Sequence, residues 1–310
     1  MIELSNGHKL EFIVPSGALA FDGRGWPWEW PWRWLGLIDP KLFTIVIKTL
    51  TLFPRKGNLR RQAPLQVLKF ISEKGETINP VLALLNSRLI RGVVNAVKLN
   101  NPGFDYWLEH IYPVIVKLGY KVIVSIAGTK EECVKMVMMS HGLKNVVAIE
   151  YNASCPNIGP ICTESIAETS FAIKDVSDKP SLIKLGYDQP YLEIAKRVED
   201  AVEAISINTV RWETIFPNMP SPLAKYGGGG VSGPVSQKYN WEMMHILATK
   251  TKIPVIGPGI WEKEDILRVK RLGASAYQFG TIFLPYPWRP TAYVKNLLLE
   301  DKKYRATKCP

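Results

Sequence analysis

Eight short, mostly apolar segments alternate with longer helical patterns between residues 12 and 282, and this alternation constrains the fold more than any other feature. Continuous apolar runs of this length are typical of strands that are covered on both faces. Eight such strands with crossover helices predict a parallel (β/α)8 barrel, the TIM barrel, in a single domain over residues 1–310. A doubly wound open sheet is the alternative. The predicted strands are FIVPS (12–16), TIVIKT (44–49), KVIVSIAG (121–128), VVAIEYNA (146–153), SLIKLG (181–186), AISINTV (204–210), PVIGPG (254–259) and AYQFGTI (276–282).

Polar residues and glycines stand at or near the C-terminal ends of these strands, which favours the barrel, because in a barrel those ends meet at the face where active sites are built. Two segments, at about 50–103 and 211–240, interrupt the alternation. We expect them to be insertions at the same face that form a lid or a binding wall. A predicted hairpin (IEL, SNG, KLEF) precedes the first strand. The strand-end residues are Ser16, Lys48, Ser125, Asn152, Lys184, Asn208, Gly259 and Gly280.

Amphipathic patterns between the strands predict the crossover helices. They are DYWLEHIYPVIVKLGY (105–120), KEECVKMVMMSH (130–141), QPYLEIAKRVEDAV (189–202), NWEMMHILATK (240–250) and EKEDILRVKRLG (262–273).

The composition excludes several classes of protein. With 46% hydrophobic residues in 310, the chain can bury a full core. It has no apolar run of the roughly 18–20 residues that a membrane span needs and no basic-then-apolar leader, so we expect no membrane span and a cytoplasmic location. The formal charge of +11 is spread along the chain, which indicates a solvated basic surface rather than a nucleic-acid partner.

Cysteine and histidine are too few and too scattered for a disulfide framework or a metal site. The one close cysteine pair, Cys155 and Cys162, has the wrong spacing for a zinc knuckle. No histidine is placed to activate Cys155 as a covalent nucleophile. The cysteines are Cys133, Cys155, Cys162 and Cys309, and the histidines are His8, His110, His141 and His245.

Glycine clusters near the last strands predict a phosphate-bearing cofactor. Barrel enzymes often bind a phosphate between the loops after strands seven and eight. Backbone N–H groups can hold a phosphate there if no side chain blocks its approach. The clusters are YGGGGVSG (226–233), IGPGI (256–260) and FGT (279–281).

Two lysines and a set of asparagines suggest what that cofactor and its substrate are. Lys48 and Lys184 each end an apolar strand, where a charge needs a partner. A reduced flavin, negative near N1 and O2, is one such partner, and a salt bridge to a nearby carboxylate is the other. Amide side chains donate and accept at once, which suits a pyrimidine ring. The asparagines are Asn95, Asn152, Asn157 and Asn208.

The chain resembles the dihydroorotate dehydrogenases, FMN flavoproteins of the barrel class. The segment EYNASCPN (150–157) is similar to the family's active-site loop, and VVNAVKLNNPGF (93–104) is similar to its substrate loop. The resemblance runs from about residue 10 to 285 with the motifs in the family's order. The other matching motifs are VPSGAL (14–19), VIKTLTLFPRKGN (46–58), LIKLG (182–186), SINT (206–209), GGVSG (229–233), IPVIGPGI (253–260) and QFGT (278–281).

The resemblance implies a role for each matching residue. Cys155, the base in soluble class 1 enzymes, would remove a proton from C5 of dihydroorotate while flavin N5 takes the C6 hydride. Ser154 would orient the cysteine or relay its proton, and Lys48 belongs to both the catalytic and the cofactor sets. The residues implied to contact FMN are Ser16, Gly17, Lys48, Asn152, Lys184, Gly229, Gly230, Gly259, Gly280 and Thr281. Those implied to bind substrate are Asn95, Lys98, Leu99, Asn157, Asn208 and Thr209.

Three features depart from the family pattern. Lys98 stands where the family's loop usually has glycine, so it is strained if the position needs a positive φ, or its ammonium faces the substrate carboxylate. The phosphate loop GPGIWEKED is one residue shorter than usual. The segment GWPWEWPWRWLG (25–36) carries five tryptophans at alternate positions.

The tryptophan segment, residues 25–36, is predicted to be a loop or a polyproline-like ribbon packed over the barrel, because its two prolines are incompatible with a helix interior or a central strand. Packing is our first interpretation. Because the segment follows the first strand, we expect it near the active-site face, as a wall, a dimer contact or a dock for an electron-transfer subunit. A partner surface is our second interpretation, and membrane contact is the third.

Two further functions stay open at this stage. One is a paralogue acting on another dihydropyrimidine, including a base within tRNA, and the other is a non-catalytic flavin-binding subunit. The expected partners are a small dihydropyrimidine substrate and either a second copy, in a homodimer, or an electron-transfer subunit. The electron acceptor is left open among fumarate, NAD through an iron–sulfur flavoprotein subunit, and a quinone.

Overall fold

The computed structural model describes residues 1–59, 64–154 and 162–308. In this part the chain forms fourteen strands and eleven α-helices. The strands are β1 Ile2–Glu3, β2 Lys9–Leu10, β3 Phe12–Val14, β4 Thr44–Val46, β5 Leu68–Ile71, β6 Gly92–Asn95, β7 Val122–Ile126, β8 Val146–Asn152, β9 Ser181–Leu185, β10 Ala204–Ile207, β11 Val210–Arg211, β12 Gly230–Ser232, β13 Ile256–Gly257 and β14 Ala276–Gln278.

The α-helices are joined by shorter helical turns. The α-helices are α1 Trp30–Trp34, α2 Pro80–Leu85, α3 Phe104–Tyr106, α4 Tyr112–Leu118, α5 Lys130–Met139, α6 Thr163–Val176, α7 Tyr191–Arg197, α8 Trp212–Ile215, α9 Pro234–Lys250, α10 Glu264–Arg271 and α11 Arg289–Lys308. A π-helical turn, Trp107–Ile111, joins α3 to α4. The 3-10 turns are Pro27–Glu29, Pro40–Leu42, Pro64–Gln66, Ser87–Leu89, Ala224–Tyr226 and Thr281–Phe283.

Eight parallel strands form the barrel in the order β10-β9-β8-β7-β4-β3-β14-β13. A parallel bridge between Ile205 and Val255 joins the two outer strands, and the Ile205 amide donates to the Pro254 carbonyl at 3.0 Å. This contact closes the sheet, so the predicted (β/α)8 barrel is confirmed and the open-sheet alternative is wrong. The eight strands fall within the eight apolar segments of the sequence.

The central strands of the barrel are buried on both faces. Every residue of β7, β8 and β9 is buried, as a strand between the barrel interior and a helical layer must be. The predicted hairpin of β1 and β2 is confirmed, with Ile2 opposite Leu10. Leu4 and Leu10 pack in one cluster with Ile13 and other barrel residues, so the hairpin covers the end of the barrel at which these strands begin.

The predicted crossover helices are confirmed, with changed boundaries. Helix α5 begins where predicted, because Thr129 and Glu132 form a capping box. Helix α9 begins at Pro234, six residues earlier than the pattern indicated, since proline suits the first helical position. Helices α6 and α11 were not among the predicted elements.

The segments that interrupt the alternation contribute to a second sheet of order β11-β12-β6-β5. Strand β6 pairs antiparallel with both β5 and β12. The register places Asn95 opposite Gly230 on one side and opposite Leu68 on the other. Residues from 68–95 and 210–232 are thereby joined at the C-terminal face of the barrel.

The tryptophan segment is helical, so the prediction of a loop or ribbon is wrong. A 3-10 turn over Pro27–Glu29 leads directly into α1. Each proline lies within the first two positions of its helix, where the missing N–H has no intrahelical acceptor and costs nothing. The predicted packing is observed at Trp32, which is partly buried against the core and lies 5.3 Å from the Trp288 ring.

Candidate active site

A cavity of about 720 Å³ opens at the C-terminal ends of the barrel strands, under the second sheet. All sixteen predicted site residues in the described part of the chain line it. Cys155 and Asn157, the two others, lie outside the described residues. The lining residues predicted from the sequence are Ser16, Gly17, Lys48, Asn95, Lys98, Leu99, Asn152, Ser154, Lys184, Asn208, Thr209, Gly229, Gly230, Gly259, Gly280 and Thr281.

A buried ion pair lies at the floor of this cavity. Lys184 Nζ is 2.9 Å from Glu150 Oε1, and the two side chains are 5% and 1% exposed. The hydroxyl of Ser125 donates to Glu150 Oε1 at 2.8 Å, and that of Ser206 donates to Oε2 at 2.6 Å. The carboxylate partner that the sequence left as one possibility for Lys184 is therefore present. Lys184 also lines the cavity, so the pair does not remove it from the site.

A row of hydrogen bonds runs from this floor to the middle of the cavity wall. Thr49 Oγ1 shares hydrogen bonds with the hydroxyls of Ser125 and Ser16, both at 2.9 Å. Asn152 Nδ2 donates to the same Thr49 oxygen at 3.0 Å. These contacts join four strand ends into one network and fix which way the Asn152 amide faces.

Ser154, next in sequence to the predicted base, belongs to the same network. Its hydroxyl donates to Asn152 Oδ1 at 2.8 Å and accepts from Asn208 Nδ2 at 2.8 Å. The two asparagines predicted for the cofactor and the substrate are therefore held by one serine, next in sequence to Cys155.

Lys48 lies beneath the substrate loop. Its side chain is 8% exposed, Nζ donates to the Lys98 carbonyl at 3.4 Å, and the ammonium lies 6.0 Å from the Phe21 ring centre. Lys98 itself has φ +60°, so the positive φ considered for this position is confirmed. A side chain in this region costs about 1 kcal/mol or more, which glycine would avoid.

Glycines give the other wall its close backbone packing. A Cβ on Gly229 would lie 2.7 Å from the Asn95 carbonyl oxygen, and one on Gly230 would collide with Thr209. Gly229 and Gly259 also have positive φ, at +105° and +73°. Helix α9 begins at this wall with no side-chain cap on its N-terminus. Uncapped N–H groups of a long helix attract anions.

These residues fit a phosphate-bearing flavin. The glycine wall and the start of α9 suit a phosphate, and the Thr281 hydroxyl donates to the Ser232 hydroxyl at 2.6 Å beside them. Gln278 Oε1 is buried in the cavity lining without a hydrogen-bond donor. A buried amide oxygen without a partner costs about 1–3 kcal/mol, which a ligand donor would offset.

The structure adds residues to the site that were not in the predicted set. Glu150 is the first residue of the motif EYNASCPN (150–157). A charged residue within an apolar strand was the sequence signal that could have identified its role. The tryptophan segment, for which a wall at the active-site face was one expectation, contributes Trp26, Trp28 and Glu29 to the cavity wall. Glu29 is 1% exposed, its Oε2 accepts from the Trp26 amide at 2.7 Å, and its Oε1 has no partner. Burial raises the pKa of Glu29 to about 8.

Within residues 1–59, 64–154 and 162–308, no cluster of three or more His, Cys, Asp or Glu side chains could hold a metal ion. No helix in the same ranges is long and apolar enough to cross a membrane.

Comparison with known proteins gives a consistent family. The family model for dihydroorotate dehydrogenase matches residues 78–291. Three curated relatives are each named dihydroorotate dehydrogenase B (NAD(+)), catalytic subunit. The protein of Anoxybacillus flavithermus is 34% identical over 201 residues, 61% of this chain and 64% of the relative, just under two thirds of its length. That of Parabacteroides distasonis is 34% identical over 229 residues (67% and 73%), and that of Geobacillus kaustophilus is 32% identical over 253 residues (76% and 81%).

Proposed function

The chain belongs to the dihydroorotate dehydrogenase family, and on this premise we propose that it oxidises dihydroorotate to orotate with FMN as cofactor, in pyrimidine biosynthesis. The observation that carries the proposal is that every described residue of the predicted site lines one cavity. We also propose that residues 1–310 form a single FMN-binding domain in the cytoplasm, with insertions at about 50–103 and 211–240.

The proposed cofactor residues divide into two groups. Lys48, Lys184 and Asn152 would hold the isoalloxazine ring, because two ammonium groups and an amide suit the negative end of a reduced flavin. When bound, FMN supplies the acceptor for the hydride that leaves C6 of dihydroorotate. The glycine wall would hold the phosphate, with Thr281 donating from its side chain. Ser16, Gly17, Gly229, Gly230, Gly259 and Gly280 complete the cofactor set.

We propose Cys155, which lies outside the described residues, as the base that removes the C5 proton. A thiol has an ordinary pKa of about 8.5, so a neighbouring polar network that favours the thiolate would suit it for this role. Ser154 is the adjacent residue and is held by Asn152 and Asn208. In the proposed mechanism Ser154 would position the cysteine or pass on its proton.

The proposed substrate residues favour a ring that bears a carboxylate. Lys98 lines the cavity with an exposed side chain. An ammonium there would attract the carboxylate of dihydroorotate, which dihydrouracil and dihydrothymine lack. Asn95, Asn208 and Thr209 would bind the ring N–H and C=O groups, and Leu99 would pack against the ring. Asn157, outside the described residues, is the remaining member of the proposed substrate set.

The three relatives are each named as the catalytic subunit of a dihydroorotate dehydrogenase B (NAD(+)). These names support our proposal that this chain works with a partner, either as a homodimer or in a complex with an electron-transfer subunit. The exposed tryptophans of residues 25–36 are a surface at which such a partner could dock, as Trp34 is 71% exposed.

Anaerobic mixing of FMN-loaded protein with dihydroorotate, dihydrouracil and dihydrothymine tests the function. We expect dihydroorotate alone to bleach the visible flavin band rapidly. The Cys155→Ser variant should retain FMN and bleach at least 100-fold more slowly, since removal of a general base costs about 10²–10⁴ in rate. Rapid bleaching by dihydrouracil alone would move the assignment to another dihydropyrimidine. A protein that binds no FMN would overturn the proposal.

A further inference from the structure

Four neighbouring strands place polar side chains at one level inside the barrel, below the cavity. Ser125 on β7, Glu150 on β8, Lys184 on β9 and Ser206 on β10 are all buried. The strand register pairs Ser125 with Glu150 and Lys184 with Ser206. Glu150 is the centre of this layer, because the other three side chains all contact its carboxylate.

Stability alone does not account for an ion pair at this place. Two charges lose their hydration when they are buried, and apolar residues of similar volume often stabilise a core equally well or better. The (β/α)8 interior is ordinarily filled by branched apolar side chains. The charge of Glu150 is therefore better explained by a role in the cavity above it, which Lys184 lines.

The carboxylate of Glu150 changes the electrostatic field that Lys184 presents to the cavity. It lies 2.9 Å from the Lys184 ammonium. A carboxylate at this distance offsets most of the field of an ammonium. Glu150 thus lowers the positive potential at a cationic position of the cavity wall.

We propose that Glu150 is a positioning residue that sets the reduction potential of the bound flavin, by fixing the Lys184 ammonium and offsetting its charge. The proposal rests on the proposed function, because it requires FMN in this cavity. Reduction adds negative charge to the flavin ring, so a nearby cation favours the reduced form and a nearby anion disfavours it. Removing the charge of Glu150 should therefore raise the midpoint potential.

The experiment is a spectroscopic measurement of the midpoint potential of bound FMN at pH 6.5 in four proteins. They are the wild type, Glu150→Gln, Lys184→Met and the double variant. Glutamine keeps the shape of Glu150 and can still bond Ser125 and Ser206. The matched control is Ser206→Ala, which removes one hydrogen bond to Glu150 but no charge.

We expect Glu150→Gln to favour the reduced flavin at least tenfold, a rise of about 30 mV for two electrons. Lys184→Met should shift the potential in the opposite direction, and the double variant should lie above Lys184→Met and near the wild type. The control should keep the wild-type potential. If Glu150→Gln does not fold, the comparison of the double variant with Lys184→Met still isolates the charge of Glu150.

An unchanged potential in every foldable variant that lacks Glu150 would overturn this inference and leave the proposed function standing. A shift in Ser206→Ala as large as that in Glu150→Gln would also overturn it, because hydrogen bonding rather than charge would then set the potential. Failure of the wild type to bind FMN would instead overturn the proposed function, and with it this inference.

Discussion

Two carboxylates, Glu150 in the barrel and Glu29 in the tryptophan segment, are both 1% exposed, yet their surroundings are opposite. Glu150 contacts an ammonium and two hydroxyls, so both of its oxygens are satisfied. Glu29 accepts one amide N–H on Oε2 and has no donor on Oε1. Burial raises the pKa of Glu29 to about 8, so it is largely protonated at neutral pH.

The difference shows how the same residue type acquires different chemistry from its scaffold. Adjacent parallel strands bring side chains from distant parts of the sequence to one level, and the barrel can therefore surround a carboxylate with partners. A single helical turn offers its own first amides and little else. The first environment supplies a cation and two hydroxyl donors to Glu150, whereas the second keeps a proton on Glu29 at neutral pH.

The largest expected effect comes from breaking the ion pair of the barrel. Lys184→Met leaves the Glu150 carboxylate buried with hydroxyl donors only, so the free energy of unfolding should fall by about 3–5 kcal/mol. Chemical denaturation of the apo-protein measures it. The double variant Glu150→Gln/Lys184→Met should recover most of the loss, and a loss below about 1 kcal/mol in the single variant would contradict the account.

The second expected effect is a pH dependence from Glu29. Its folded-state pKa of about 8 is above the ordinary 4.5, so the folded protein binds the proton more tightly than the unfolded chain. This contribution is full below pH 4.5 and is lost as the pH rises through about 8. Between these values the free energy of unfolding should fall by about 4 kcal/mol, slightly less than roughly 1.4 kcal/mol for each pKa unit of the shift, because the group is half-titrated at each end of the range.

The variant Glu29→Gln, measured by denaturation at several pH values, isolates that contribution. It should be less sensitive to pH over this range and more stable than the wild type at pH 9. Parallel pH profiles for the two proteins would show that Glu29 titrates normally and that the contrast with Glu150 is wrong.

A smaller effect is expected where the tryptophan segment contacts Gly17, one of the residues proposed to bind FMN. Trp26 Nε1 donates to the Gly17 carbonyl at 2.9 Å. Trp26→Phe keeps most of the ring packing and removes this bond, so the thermal midpoint should fall by an amount equivalent to about 1 kcal/mol. Affinity for FMN, measured by fluorescence titration, should weaken as well. Unchanged stability would indicate that Gly17 is held by other contacts.

The smallest effect is expected at Trp34, which is 71% exposed. Trp34→Ser should change the free energy of unfolding by no more than about 0.5 kcal/mol, because an exposed side chain loses little burial. The same denaturation experiment checks it. A loss above 1 kcal/mol would mean that this end of the segment is covered by a second copy of the chain.

The barrel and most of its cavity were predictable because they depend on short periodic patterns and on residues at strand ends. Lys48, Asn152 and Asn208 could be placed in this way, since parallel strands bring their C-terminal ends together whatever the details of packing. The positive φ of Lys98 could be anticipated because the family's substrate loop usually has glycine at this position.

The remaining features depend on contacts between distant residues. Glu150 was visible as a charge in an apolar strand, but its partners lie on three other strands, so register and side-chain direction were needed to find them. The second sheet pairs β6 with β12, more than 130 residues away in sequence. In the tryptophan segment, proline spacing was taken as incompatible with a helix, although each proline suits a first turn.

The most direct test of the central claim is an anaerobic single turnover with the amounts of flavin and product measured together. FMN-loaded protein is mixed with excess dihydroorotate, and orotate is quantified by chromatography once the visible band has bleached. The account predicts one orotate for each flavin reduced, at a rate that falls at least 100-fold in Cys155→Ser. Binding of FMN without formation of orotate would contradict it.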